Sequence, residues 1–370
     1  MFMTASCHTP NSSDFDKYKM NDFEYIRQQI QDAVSSQTPL AIQGGGSKLF
    51  YGRTTQGETL AVGEYSGIID YTPSELVISA RAGTPLAELE NRLNEQGQML
   101  PFEPPHFGAG ATLGGTIACG LSGPRRPYAG AARDFVLGIN CISGKGEYLR
   151  FGGQVMKNVA GYDLSRMLTG SLGTLAVLLD IHLKVLPQPE ISTTIRQPCK
   201  LTDALQRMNL WAAKPVPLSG GCYMDDHLYI RLSGTARGVQ AAVEKLGGDK
   251  VDSSETFWQD LREQRLGFFS GDTPLWRLSV PPACEPFELE GESLIDWGGA
   301  QRWLKSRLPA STIRAATAKA GGHATLFSGG DREGDVFQPL PPALLALHQR
   351  LKQSLDPAGI LNPGRMYPVL

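Results

Sequence analysis

The sequence predicts an α+β chain of two domains, and three observations carry that expectation. Segments with helical spacing alternate with short strand-like runs from about residue 20 to the end of the 370-residue chain. Fifteen of the 42 glycines fall between His106 and Leu175, a density that means backbone packed close against something. The stretch "PQPEISTTIRQP", from Pro187, has the composition of a linker and divides two regions of different texture.

Residues 1–19 are polar and aperiodic and are expected to be disordered, which makes Met20 a second possible start. A helix begins at Asn21, with Glu24 three residues on as a capping box and Phe23, Ile26, Ile30 and Val34 on one face. Leu40–Gln43 reads as a buried strand running into three glycines. Leu76–Ala80 reads as another strand. Thr84 and Pro85 then suit the cap and first position of a helix carrying Leu86, Leu89 and Leu93 to a stop at Gly97. Val136–Ile142 and Glu147–Phe151 form a hairpin across Ser143–Gly146, and Leu175–Leu186 is one long strand.

Beyond the linker, Leu205, Met208 and Trp211 mark a helix, and "GGCYMDDHLYIRLSG" a hairpin turning at Asp225 and Asp226. Val239, Val243 and Leu246 mark a further helix. Helices alternating with hairpins predict an antiparallel sheet here. A last helix places Leu344, Leu347, Leu351 and Leu355 on one face and stops at Asp356-Pro357.

Composition excludes several function classes. A net charge of −2 argues against nucleic acid as the main partner, and no apolar run reaches the ~18 residues of a membrane span. The N-terminus has no apolar core of the secretory kind. Cys7, Cys119, Cys141, Cys199, Cys222 and Cys284 are scattered without CxxC spacing, so neither a metal site nor an iron–sulfur centre is expected in this chain. A reduced, cytoplasmic protein fits this usage.

"GGGSK", at Gly44–Lys48, raises the question of phosphate. It lacks the G-x-x-x-x-G-K-[ST] spacing, and the turn-rich "LFYGRTTQGE" after it makes a poor helix, so binding on a helix dipole is not expected. "GAGATLG" at Gly108–Gly114 fails the dinucleotide fingerprint because Leu113 replaces the last glycine. What remains is a nest of backbone N–H groups, assisted by the Ser47 hydroxyl and the Lys48 cation. The alternative is a plain glycine-rich turn with Lys48 in solvent.

The longer context decides between them. "GATLGGTIACGLSGPRRPYAG" followed by "VMKNVAGYDLSRMLTGSLGTLAVLLDIHLKVLP" closely resembles the FAD-binding domain of the vanillyl-alcohol oxidase family, with "GGGSK" upstream in the family's order. The resemblance implies a PCMH-type FAD-binding domain of two subdomains (20–187), a linker (188–198), an α+β cap with an antiparallel sheet (199–335), and a C-terminal segment (336–370) returning to the first domain. "RDFVLG", "LIDWGGAQRWL", "AGGHATLFSGGD" and "LDPAGILNPGRMYP" narrow the resemblance to the smaller flavoprotein subunits of bacterial glycolate oxidases.

Carried over by position, the resemblance implies that Gly44, Gly45, Gly46, Ser47 and Lys48 hold the FAD pyrophosphate. Leu113, Gly114, Gly115 and Thr116 supply contacts along it. Asn158, Gly161, Tyr162 and Asp163 line the flavin and ribityl chain. Gly170, Ser171, Gly173 and Thr174 shape the closing turn, and Asn362 returns to the flavin edge. Packing is the alternative for Tyr162 and a helix cap for Asp163. FAD is expected to be non-covalent, because "GGGSK" offers no histidine or cysteine.

The implied activity is oxidation of glycolate or another small 2-hydroxy acid, with electrons passed to a larger FAD subunit and an iron–sulfur subunit, and any inner-membrane contact made through those partners. One departure bears on this. The H-x-GDGN and GEHG motifs of many 2-hydroxy-acid dehydrogenases are missing. His323, in "GGHAT", is the candidate for a catalytic base, against the alternative of a structural histidine. His106, in the rigid loop "EPPHFG", is a candidate to approach the cofactor, against the alternative of a structural role; His182 and His348 read as sheet and helix-surface residues. The second reading is therefore a flavin-carrying relay or structural subunit, with substrate oxidation confined to the larger FAD subunit. A sugar-nucleotide reductase on the same fold matches the C-terminal segments less well.

Overall fold

The computed structural model describes residues 20–153 and 164–370. The expected disorder of 1–19 lies outside the described residues. A helix at Met20–Ser36 buries Ile26, Ile30 and Ala33 against β1 (Leu40–Gln43) and β2 (Glu58–Ala61), which pair in parallel. A five-stranded antiparallel sheet stands beside this unit. It comprises β3 (Ile68–Thr72), β4 (Val77–Arg81), β6 (Val136–Ser143), β7 (Tyr148–Gly152) and β8 (Ala176–Lys184), in the order β3-β4-β8-β6-β7.

β8 is the middle strand and is buried on both faces, which is why its sequence opens as an unbroken apolar run. Val177 and Leu179 face the helix of the first unit. Ala176, Leu178, Ile181 and Leu183 face the helices Leu86–Asn94 and Leu113–Cys119. The switch of phase between Leu178 and Ile181 coincides with the β6–β8 register shift at Asn140/Cys141. There Asp180 is buried and accepts hydrogen bonds from Tyr65 Oη and Asn140 Nδ2, both at 2.9 Å. A short ribbon, β5 (Gln98–Met99) with β9 (Leu186–Pro187), closes the far side.

Thr84 does not cap the helix at 86. Pro85 takes the cap position, and the Thr84 hydroxyl bonds both backbone groups of Gly67 instead.

The second region is an eight-stranded antiparallel sheet. Its strands are β10 (Ile191–Pro198), β11 (Leu218–Met224), β12 (His227–Gly234), β13 (Asp249–Lys250), β14 (Leu275–Ser279), β15 (Glu292–Asp296), β16 (Gln301–Lys305) and β17 (His323–Ser328). They lie in the order β13-β10-β12-β11-β15-β16-β14-β17. Residues 191–198, expected as linker, are thus a strand. Ile195 is fully buried, and β10 pairs with β12 along its whole length. Asp225 and Asp226 both take positive φ (50° and 55°), as a two-residue hairpin turn of this hand requires.

One face of the sheet is covered by helices. Leu201–Ala212 and Ala236–Leu246 cover the β10–β12 side, and Ala310–Lys319 the β14–β17 side. The other face presents Leu275, Leu294, Trp303 and Phe327 to Tyr51, Leu121 and Leu172 of the first domain.

The chain then returns. Leu40 N donates to Ile360 O at 2.7 Å and Asn362 N to Leu40 O at 2.9 Å, so the tail runs beside β1. The preceding helix is Pro342–Leu355. Leu344 and Leu347 are exposed, and the one residue the helix buries is Lys352.

Candidate functional site

β1 aims the chain into the glycine run, and the run ends in a cleft. A Cβ on Gly45 would lie 1.4 Å from the carbonyl oxygen of Gly110, and one on Gly110 would lie 2.6 Å from that of Gly45. The two glycine-rich stretches therefore cross backbone against backbone, at a separation no side chain permits. Gly46 turns with φ +75°, the left-handed region where glycine carries no steric penalty. Beyond the crossing, Lys48, Thr112, Gly115, Cys119, Asn362 and Arg365 line the cleft.

Its electrostatics suit an anion. Among the described residues, the backbone N–H groups of Gly44 to Lys48 find no acceptor. Lys48 is buried, and among the described residues its Nζ donates only to His106 O at 3.1 Å and Ser47 Oγ at 3.3 Å. Burial holds its pKa below the usual lysine value, opposed by Cys119 and Glu263. Arg365 is equally buried. It donates to the carbonyl oxygens of Leu49 (2.9 Å), Tyr51 (2.7 Å) and Arg53 (2.9 Å), which shapes the loop after Lys48. Neither cation makes an ion pair among the described residues. Two buried cations without carboxylate partners, beside free amides, are costly unless an anion completes them. Residues that fit a pyrophosphate are therefore present. Cys119 stands beside these cations, yet burial still pushes its thiol up to about 11.

Asn362 is wired into the same wall. Its Oδ1 accepts from Ile42 N at 2.8 Å, and its Nδ2 donates to Leu172 O at 2.7 Å. It joins β1, the turn at 171–174 and the C-terminal tail at one point.

The remaining residues carried over from the resemblance divide. Gly44, Gly45, Gly46 and Ser47 line the cleft with Lys48. Of Leu113, Gly114, Gly115 and Thr116, Gly115 lines it, while the other three are buried at the start of the helix behind. Gly173 packs on Asn362. Gly170, Ser171 and Thr174 turn away, and line a separate apolar cleft with Met167, Leu351 and Met366. Asn158, Gly161, Tyr162 and Asp163 lie outside the described residues. His323 is exposed at the start of the edge strand β17, opposite Ser279, and is not brought to the cleft wall. Partial desolvation of its ring, with nearby Arg277, lowers its pKa. His106 does approach, but through its carbonyl. Its ring Nε2 pairs with Glu90 at 2.8 Å.

Sequence reasoning missed Arg365 and Glu263. Arg365 had a signal, since it follows the Asn-Pro-Gly of the returning tail. Glu263 had none, because it comes from the cap. Its carboxylate accepts from His106 N at 3.1 Å and Phe107 N at 2.8 Å.

A model of the FAD binding domain matches residues 21–152, and a model of the C-terminal domain of FAD linked oxidases matches residues 335–366. The chain is 53% identical over 345 residues to glycolate oxidase subunit GlcE of Escherichia coli (strain K12), covering 93% of this chain and 97% of that one. It is 29% identical over 183 residues to glycolate oxidase subunit GlcD of Bacillus subtilis (strain 168), covering 48% and 39%. Among solved structures, an alkyldihydroxyacetonephosphate synthase superposes with a TM-score of 0.62 at 16% identity, over 92% of this chain and 75% of that one. That last likeness is one of fold.

Proposed function

The chain belongs to the family of FAD-linked oxidases that includes the bacterial glycolate oxidase subunits, and on that premise we propose that it is the smaller FAD-carrying subunit of a glycolate oxidase complex. The observation that carries this reading is the pair of buried cations, Lys48 and Arg365, flanking unbonded amides in a cleft made by interlocked glycine loops. Lys48, Ser47 and the Gly44–Gly46 backbone hold the pyrophosphate non-covalently; Gly115 and Asn362 bound the same groove. Bound FAD supplies a hydride acceptor for the α-carbon of a small 2-hydroxy acid. The protein's share is to hold the cofactor and present it to a larger flavoprotein subunit and an iron–sulfur subunit. No helix among the described residues is long and apolar enough to cross a membrane, and membrane contact is assigned to the partners.

One observation favours a second reading. His323, the sequence's candidate base, does not line the cleft. On that reading the chain relays electrons or supports the complex, and the larger FAD subunit oxidises the substrate. The chain purified alone should show a flavin spectrum, with all flavin released into the supernatant on acid precipitation. Anaerobic glycolate then separates the readings. Bleaching marks a chain that oxidises substrate itself, a flavin that stays oxidised marks the relay, and a chain that binds no flavin sinks both.

A further inference from the structure

The helix Ser254–Arg262 of the cap ends next to the cofactor cleft, and Glu263 follows it. The Glu263 side chain is 6% exposed and is steadied by Arg262 Nε at 2.8 Å. It accepts hydrogen bonds from the backbone N–H groups of His106 and Phe107, in a loop where Phe107 takes φ +53°. A bulky residue held in that region needs its surroundings to fix it.

The Phe107 N–H and the His106 C=O belong to one peptide group, which is planar, with its N–H and C=O directed oppositely. Glu263 Oε2 accepts from the N–H at 2.8 Å, and Lys48 Nζ donates to the C=O at 3.1 Å. A carboxylate from the cap and an ammonium in the cleft thus lie at the two ends of one peptide dipole. Each polarises it in the same sense, which strengthens both hydrogen bonds.

We propose that Glu263 is a positioning residue for the cofactor, through which the docked cap fixes the charge and place of Lys48 in the cleft. The proposal rests on the reading of the cleft as the FAD pyrophosphate site. The Coulombic effect of Glu263 on Lys48, opposing desolvation, acts in the same direction. Arg125 and Arg231 are held by Glu103 elsewhere on the domain interface, so Glu263 is not needed to balance them.

Two measurements test it, one of them without FAD. In the flavin-free full chain, acetic anhydride labelling of Lys48, read by mass spectrometry, should be about fivefold faster in Glu263→Gln than in the parent. An unchanged rate overturns the proposal whether or not the cofactor reading stands. In FAD titrations by fluorescence quenching, Glu263→Gln and Lys48→Ala should each weaken binding. The double variant should bind no more weakly than Lys48→Ala alone. Losses that multiply mean two independent effects and overturn the coupling. A parent chain that binds no FAD sinks the cofactor reading, and leaves the labelling rate to decide on Glu263. A melting temperature of flavin-free Glu263→Gln within a few degrees of the parent shows that the changes are not unfolding.

Discussion

Lys352 and Asp356 form a buried ion pair, Nζ to Oδ2 at 2.7 Å, in a helix that leaves Leu344 and Leu347 exposed. Lys352 also donates to Thr174 O (2.8 Å) and Leu361 O (2.7 Å), while Asp356 accepts from Leu361 N (2.8 Å). The pair pins three separate segments, one of which delivers Asn362 to the glycine-lined cleft. Removing one partner strands a buried charge, a loss of about 3–5 kcal/mol. Lys352→Met is expected to lower the urea midpoint accordingly and to loosen FAD. A midpoint within experimental error of the parent would show that the pair contributes nothing net.

This helix also shows where the sequence misleads. Leucines at 344, 347, 351 and 355 have the spacing of a core-facing stripe, and periodicity carries no information on which side the core lies. The choice was made by Lys352, whose burial depends on acceptors from residues 174 and 361. Such long-range partners are not written in local spacing. The same limit applies at 191–198. A polar stretch flanked by prolines has linker composition, but β-branched Ile191, Thr193, Thr194 and Ile195 suit a strand once β12 stands beside it. The glycine run was legible as a demand of its own backbone, since Gly45 crosses Gly110 with no room for a side chain, but its reading as a phosphate site came from the longer resemblance and not from the loop.

The crossing of the two glycine stretches should tolerate no side chain. Gly45→Ala places a methyl inside the Gly110 carbonyl, and relief requires moving one loop bodily. The expected result is a chain that fails to retain FAD and loses more than about 3 kcal/mol of stability. Gly267→Ala, with nothing within 4 Å of the added carbon, serves as the control and should behave as the parent. Equal FAD retention in the two variants would remove the crossing from the cofactor site.

Asp296 should give the stability of the cap its pH dependence. It is buried where the cap meets Tyr128, and burial raises its pKa to about 7, against the Trp297 N–H, Arg231 and Gln301, which lower it. In the unfolded chain the group ionises near pH 4. Both states are protonated below that, and the folded state alone stays protonated up to about 7. Stability from this group is therefore complete below pH ~4 and is lost as pH rises through about 7. Asp296→Asn keeps an acceptor for Trp297 and removes the titration. Urea midpoints should show the variant more stable than the parent at pH 8, with the gap closing toward pH 4.5. Parallel midpoint curves would rule Asp296 out as the source.

Arg365 separates the effect of charge from that of shape. Its guanidinium spans the carbonyl oxygens of Leu49, Tyr51 and Arg53, a fork that a single ammonium cannot reproduce. Lysine at this position keeps the positive charge in the cleft but leaves some of these buried carbonyls unsatisfied. Hydrogen bonds to charged groups are worth roughly 1.5–3 kcal/mol each, so losing one corresponds to a tenfold or greater change in an equilibrium. Arg365→Lys should therefore weaken FAD binding at least about tenfold, and open the 48–53 loop to limited proteolysis. If charge alone mattered, Arg365→Lys would bind FAD like the parent and only Arg365→Ala would fail. The fluorescence titration of the two variants, run side by side, decides between a cation that attracts the pyrophosphate and a fork that builds the loop around it.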